Sequence, residues 1–363
     1  MGTITSRSRR AGLGLSLFLL LALCAWEVAG RVTPRLAPTP LAVLSAAWTL
    51  ATAGAPPAAP AAAPDERQAR LAFRPLPYVM YGLKPDWTRE PQARHDGTMV
   101  MRSSNSFGFR GREIVQPKPP GRLRIVCLGG STTYSDAVSD DDAYPVLLEH
   151  ELRAERPGRD IEVVNAGVPS YTTAETLASL AFRCLDLSPD VIVLYEGIND
   201  YRTRVYANFD SAYFHYRRVW NGSAEPPAHG EGELADGINA LIQLELPRPN
   251  GNKLANVQRS GTAAFRRNLV SIAGIARAHG VRVVFVSCAY DVGNPYADAP
   301  MTDAFAEHNR VVKEVALQEG APFIDLAASF RTEGQFVDVV HMNAQGSAQM
   351  ARLIAAGMLA TLP

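Results

Sequence analysis

The chain lacks the signals that would assign it to several common classes. Its four cysteines, Cys24, Cys127, Cys184 and Cys288, include no C-x-x-C pair. That spacing argues against a zinc ribbon, and so few thiols make no disulfide framework. Cys24 lies in an apolar leader, and the other three fall in predicted strands or a helix, where thiols pack as small hydrophobes. Net charge is also missing: 36 basic side chains balance 36 acidic ones. With no basic stripe interleaved with aromatics, no nucleic-acid partner is expected. No Gly-Lys-Ser/Thr ending marks a phosphate loop, and no G-x-S-x-G elbow is present. The longest N-terminal apolar run, Ala11 to Trp26, falls short of the roughly 20 residues that cross a bilayer comfortably.

That run is nevertheless informative. Arg7, Arg9 and Arg10 precede it and Glu27 closes it, the pattern of a secretory leader or uncleaved anchor. Val28-Ala29-Gly30 suits a signal-peptidase cut. Residues 1–30 are therefore expected to direct export to the periplasm or beyond, with cleavage or membrane attachment both open. Residues 31–66 are rich in Pro and Ala and read as a linker, although Leu41 to Gly54 is more apolar. Residues 67–121 are expected to pack as an extension on a folded domain of 122–363.

Within that domain strands and helices alternate. Apolar, β-branched runs at Leu123–Leu128, Ile161–Val164, Val191–Tyr195, Val281–Val286 and Phe323–Leu326 predict buried strands. Helical spacing predicts helices at 144–155, 173–187, 262–279, 303–318 and 344–362, the second capped by Thr172 with Glu175 at its third position. This alternation implies a three-layer α/β/α sandwich around a five-stranded, mostly parallel, doubly wound sheet. Ligands bind such sheets beyond the carboxyl ends of the strands.

The residues just after those strands are Gly129-Gly130-Ser131, Asn165-Ala166-Gly167 and Gly197-Ile198-Asn199-Asp200. Each alone reads as a turn. Asp338-Val339-Val340-His341 puts a carboxylate three residues before an imidazole, where it can hold the ring's tautomer. His308 is expected to be solvated in a charged helix; His150 and His279 sit near helix C-termini.

Taken together and in order, Gly-x-Ser, a glycine after the second strand, Gly-x-Asn-Asp after the third, and Asp-x-x-His near the end resemble the four blocks of the SGNH/GDSL hydrolases, over roughly residues 122–362. The resemblance implies a flavodoxin-like SGNH fold, with Ser131 as nucleophile, His341 as base and Asp338 as its orienting carboxylate. It also implies an oxyanion hole from Ser131, Gly167 and Asn199, with Asp200 bracing the turn. Gly130 stands where the family's block-one aspartate would be, which leaves substrate preference unassigned. Asn105 to Gly111 resembles a stretch before block one in some exported bacterial members, and Arg110 there is expected to form a structural salt bridge.

An insertion at about 201–260 follows Asn199. Its aromatics and arginines include Tyr201, Arg202, Tyr206, Phe209, Tyr213, His215, Tyr216, Arg217 and Trp220. Either a lid or local packing accounts for it. Tyr134, Tyr213, Tyr216 and Trp220 are the expected substrate contacts. The implied activity is an esterase acting on a small acyl ester, acetyl among the candidates, or an acylated carbohydrate, with no metal and no cofactor. The alternatives are an O-acyltransferase on a cell-surface polysaccharide and a silent carbohydrate-binding relative.

Overall fold

The computed structural model describes residues 72–76, 78–93, 99–216 and 251–362. The expected leader and linker, and Trp220 within the insertion, lie outside them. The chain divides into two compact units, Met1–Asp65 and Glu66–Pro363, and every described residue belongs to the second.

The described chain begins with two antiparallel hairpins. Strand β1 (Phe73–Leu76) pairs with β2 (Met80–Leu83), and β3 (Thr88–Ala93) with β4 (Met99–Ser103). The main sheet follows: β5 (Leu123–Gly129), β6 (Ile161–Asn165), β7 (Val191–Tyr195), β8 (Arg282–Val286) and β9 (Phe323–Ile324). Its order is β6-β5-β7-β8-β9, and all four pairings are parallel. The sheet is thus wholly rather than mostly parallel. Continuous apolar runs suit this, because both faces are covered. Ile125, Val163 and Val193 meet one core; Val126, Leu128, Ile192 and Leu194 meet the other.

The helices in chain order are α1 (Ser131–Tyr134), α2 (Tyr144–Glu155), α3 (Thr173–Ser179), α4 (Ile198–Arg204), α5 (Lys253–Ser260), α6 (Ala263–Ala278), α7 (Ala299–Gln318), α8 (Leu326–Ser329) and α9 (Ala344–Met358). Leu148 and Leu152 of α2 and Met350 and Ile354 of α9 cover one face of the sheet. Leu269 and Ile272 of α6 and Val311 and Val315 of α7 cover the other. The chain leaves β5 toward β6, then crosses back to β7 on the opposite side. The crevice of a doubly wound sheet opens at this reversal, at the strands' carboxyl ends.

Several boundaries differ from the periodicity. Helix α3 stops at Ser179 and continues as a π turn over Leu180–Cys184 and a 3-10 turn over Leu185–Leu187. The wider turn carries Arg183 to the carbonyls of Phe107 and Gly108, 3.0 Å from each. Helix α7 starts earlier than predicted because Asp298 caps it, accepting from the Met301 N–H at 2.9 Å, with Pro300 in its first turn. Strand β9 is cut short because Asp325 turns to cap α8.

Arg110 ties the N-terminal segment to the sheet. Its side chain is buried, and its guanidinium lies 4.6 Å from the centre of the Tyr134 ring. Its Nε donates to Asp140 at 2.8 Å, and its other nitrogens donate to the carbonyls of Tyr134, Ser135 and Val138. Its backbone N–H donates to Asn165 O at 3.2 Å. One arginine therefore holds the loop after α1 against the end of β6. Among the described residues no helix is long and apolar enough to cross a membrane.

Candidate active site

Ser131 opens α1 directly beyond the carboxyl end of β5. A Cβ on Gly130 would come within 2.6 Å of Asn199 Nδ2 and 3.1 Å of Tyr171 O, so a side chain there would displace the Asn199 amide.

His341 reaches this serine from the segment before α9. Its Nε2 lies 2.8 Å from Ser131 Oγ, and its Nδ1 lies 2.7 Å from Asp338 Oδ2. A carboxylate only accepts, so Nδ1 carries the hydrogen and Nε2 is left to accept from the serine hydroxyl. The other Asp338 oxygen accepts from the backbone N–H groups of Val340 and His341, at 2.8 and 2.7 Å. Partial burial pushes the Asp338 carboxyl up, but the hydrogen bonds and charge of His341 outweigh it and hold it down at about 2.

Asn199 is buried in the first turn of α4 and donates from Nδ2 to Tyr171 O at 2.8 Å. An amide nitrogen has two hydrogens, so a second donor remains, and Asn199 lines the same cleft as Ser131 and His341. Next to it, Asp200 is fully buried. It accepts from Thr173 N at 3.0 Å, Thr173 Oγ1 at 2.6 Å and the Tyr213 hydroxyl at 2.8 Å. Burial raises its carboxyl to about 6 against the pull of those bonds. This carboxylate links α4, α3 and the segment after α4.

The expectation for Gly167 is not met. Its N–H donates to Asn165 Oδ1 at 3.0 Å, and it stands outside the cleft lining. A Cβ there would overlap the backbone of Thr133 and Tyr134. Gly167 therefore serves the close approach of the β6 loop to α1. Ser170 borders the cleft instead, in left-handed conformation at φ 67°. Sequence reasoning missed it because serine carries no mark of a positive φ, which is uncommon outside glycine.

The expected substrate contacts also move. Tyr134 is buried under Arg110, Tyr213 is buried on Asp200, and Tyr216 is buried in the core. None of the three lines the cleft; the insertion instead contributes Tyr201, Arg202, Val205, Tyr206 and Lys253. These sit on or beside α4 and α5, so the insertion begins and ends as helix rather than as a free loop. Met301 and Phe305 of α7 and the exposed Tyr296 also line the cleft, whose volume is about 710 Å³. They come from roughly a hundred residues later, and no local pattern announced them.

His308 is not solvated. It is 1% exposed and stacks on Phe265 with ring centres 4.4 Å apart. Ala304, Phe305, His308, Val311 and Val312 form one inward stripe of α7, a helical period that was readable. Arg204 Nη1 can only donate, so His308 Nε2 accepts from it at 3.1 Å and Nδ1–H donates to Gly197 O at 2.7 Å. Burial, then the Arg204 charge, lowers this imidazole to about 3. Among the described residues, no group of three or more His, Cys, Asp or Glu side chains is gathered as a metal site would require.

A family model described as the GDSL-like lipase/acylhydrolase family matches residues 127–349. No curated protein matches. Among solved structures, a variant of the acetyl xylan esterase Axe2 from Geobacillus stearothermophilus is 17% identical, covering 65% of this chain and 94% of its own, with a TM-score of 0.45. TesA is 19% identical over 66% and 99%, with a TM-score of 0.44. A lipase/acylhydrolase from Enterococcus faecalis is 18% identical over 66% and 97%, with a TM-score of 0.43.

Proposed function

The chain belongs to the GDSL-like lipase/acylhydrolase family, and from that premise we propose that it hydrolyses small acyl esters through an acyl-enzyme on Ser131. The observation that carries the reading is the hydrogen-bonded series Ser131–His341–Asp338, with contacts of 2.8 and 2.7 Å.

The chemistry follows from which atoms donate. Ser131 Oγ attacks the ester carbonyl carbon while its proton passes to His341 Nε2. Asp338 keeps the ring in the tautomer that accepts this proton and stabilises the imidazolium. The carbonyl oxygen gains a negative charge. The Ser131 N–H and the Asn199 amide supply donors for it, and Ser170 lines the same cleft. Neutral donors suit this role because they stay in place at every working pH. His341 then protonates the departing alcohol oxygen as the carbon–oxygen bond breaks. Water repeats the sequence on the acyl-serine and releases the acid.

A small acyl group, acetyl in size, and an acylated carbohydrate as the alcohol are the substrate reading. The basic and apolar leader supports export, with action in the periplasm or outside the cell. The test is a panel of p-nitrophenyl and sugar esters, run with and without sugar acceptors, together with labelling by a fluorophosphonate. Release of free acid and an adduct on Ser131 are expected. Acyl transfer to the sugar without free acid would replace hydrolysis by transfer. Turnover with no adduct on Ser131 would overturn the assignment.

A further inference from the structure

Helix α4 brings a second polar side chain to the cleft that the esterase chemistry does not use. Arg202 follows Asn199 by three residues. Residues so spaced are neighbours on one helix face, with Cβ atoms roughly 5–6 Å apart. Arg202 is half-buried and lines the cleft with Ser131, Asn199 and His341.

Its situation differs from that of every other charge on that wall. Asp136 is paired with Arg102, Asp298 with Lys253 at 3.6 Å, and Asp338 with His341. Two residues further on, Arg204 is buried and donates to Val257 O, Glu307 and His308. Arg202 alone among these has no hydrogen bond or ion pair with any described residue. A guanidinium is charged at every accessible pH and offers a planar fork of donors. An anion entering the cleft can meet that fork with bidentate, charge-assisted hydrogen bonds. Val205 and Met301 also line this space, and apolar neighbours strengthen such a pair by excluding water.

We propose that Arg202 is a specificity-determining residue that recognises an anionic substituent, a carboxylate, sulfate or phosphate, carried by the ester near its scissile bond. The inference rests on the esterase reading above and narrows its substrate class to negatively charged esters. The charge can reside on the acyl group or on the alcohol, and the probes separate the two.

The experiment compares matched esters that differ only in one charge. For the alcohol side, 4-acetoxybenzoate is set against its methyl ester. For the acyl side, p-nitrophenyl hydrogen adipate is set against p-nitrophenyl methyl adipate. The quantity read is the ratio of kcat/KM, charged over neutral, in wild type and in Arg202→Gln. One pair is expected to show a preference of roughly 10- to 100-fold, the worth of a charge-assisted hydrogen bond, and the substitution is expected to collapse that ratio to about one. Arg202→Lys, which keeps the charge and loses the fork, should fall between. A wild-type ratio near one in both pairs overturns the inference while leaving the serine esterase intact. So does an equal loss on charged and neutral esters in Arg202→Gln. Failure to turn over any of the four esters, with no adduct on Ser131, overturns the esterase reading and this one together.

Discussion

His341 Nε2 stands 2.8 Å from Ser131 Oγ although 210 positions separate the two residues in the chain. Nothing local joins them. Ser131 is placed by the end of β5 and His341 by the turn before α9, and the packing of helix and sheet sets their separation. Ser131→Ala should therefore leave thermal stability nearly unchanged and lower p-nitrophenyl acetate turnover by roughly 10⁴- to 10⁶-fold. Circular dichroism melts run beside the kinetics would check both halves. A few-fold loss would reject the nucleophile.

Asn199 and Gly167 should fail in different ways. Asn199→Ala removes a donor from the cleft and should lower kcat by roughly 10²- to 10³-fold, as loss of an oxyanion donor does. Gly167→Ala places a methyl against the Tyr134 backbone and should first lower the melting temperature. If Gly167→Ala melts like wild type yet loses turnover as Asn199→Ala does, Gly167 serves the cleft and not the packing of the β6 loop on α1.

Asp338 should remain ionised through the whole working range, since His341 holds it at about 2. Its folded value lies below the unfolded value of roughly 3.9. The pairing therefore stabilises the fold above that unfolded value and is lost as pH falls toward 2. Asp338→Asn should lower kcat by roughly 10⁴-fold through loss of the ring's orientation and remove this acid-range component from stability. A pH–rate profile and urea melts at pH 7 and pH 3 would check it.

His308 contributes in the opposite protonation state. It folds neutral with its imidazole lowered to about 3, whereas an unfolded histidine binds a proton below roughly 6.5. Between those values the unfolded chain holds the extra proton, so stability falls as pH drops, by up to about 1.4 kcal/mol per pH unit for one group. Substituting His308→Gln should flatten this dependence between pH 6.5 and 4.5. Equal slopes in the two proteins would show that His308 titrates normally.

Arg110 should be costly to remove. Replacing it by methionine leaves three backbone carbonyls and Asp140 without their buried donor, which should destabilise the fold by about 3–5 kcal/mol. Urea denaturation measures this directly. A change under about 0.5 kcal/mol, the scale of an ordinary surface substitution, would reduce the contact to decoration.

Much of this site was legible because its parts are local. Asp338 precedes His341 by three residues, and a short turn is enough to bring Oδ2 onto Nδ1. Ser131 and Asn199 follow apolar runs whose length and branching mark buried parallel strands, and parallel strands place their ends on one side. The Thr172 cap and the span of α2 were readable for the same reason. The charged neighbours of His308 in the sequence point to solvent, whereas the helical period it shares with Ala304, Phe305, Val311 and Val312 points inward.

Chain order and composition alone determined the parallel α/β architecture, the family, and which hydroxyl, imidazole and carboxylate belong together. Tertiary packing alone decided the rest. It closed Gly167 onto α1 and turned Ser170 toward the cleft. It buried Tyr134, Tyr213 and Tyr216, and it left Arg202 without a hydrogen bond or ion pair to any other described residue. The physical reason is that hydrogen bonding and periodicity act within a turn or a strand, while exposure and pairing depend on what distant segments bring to the same surface.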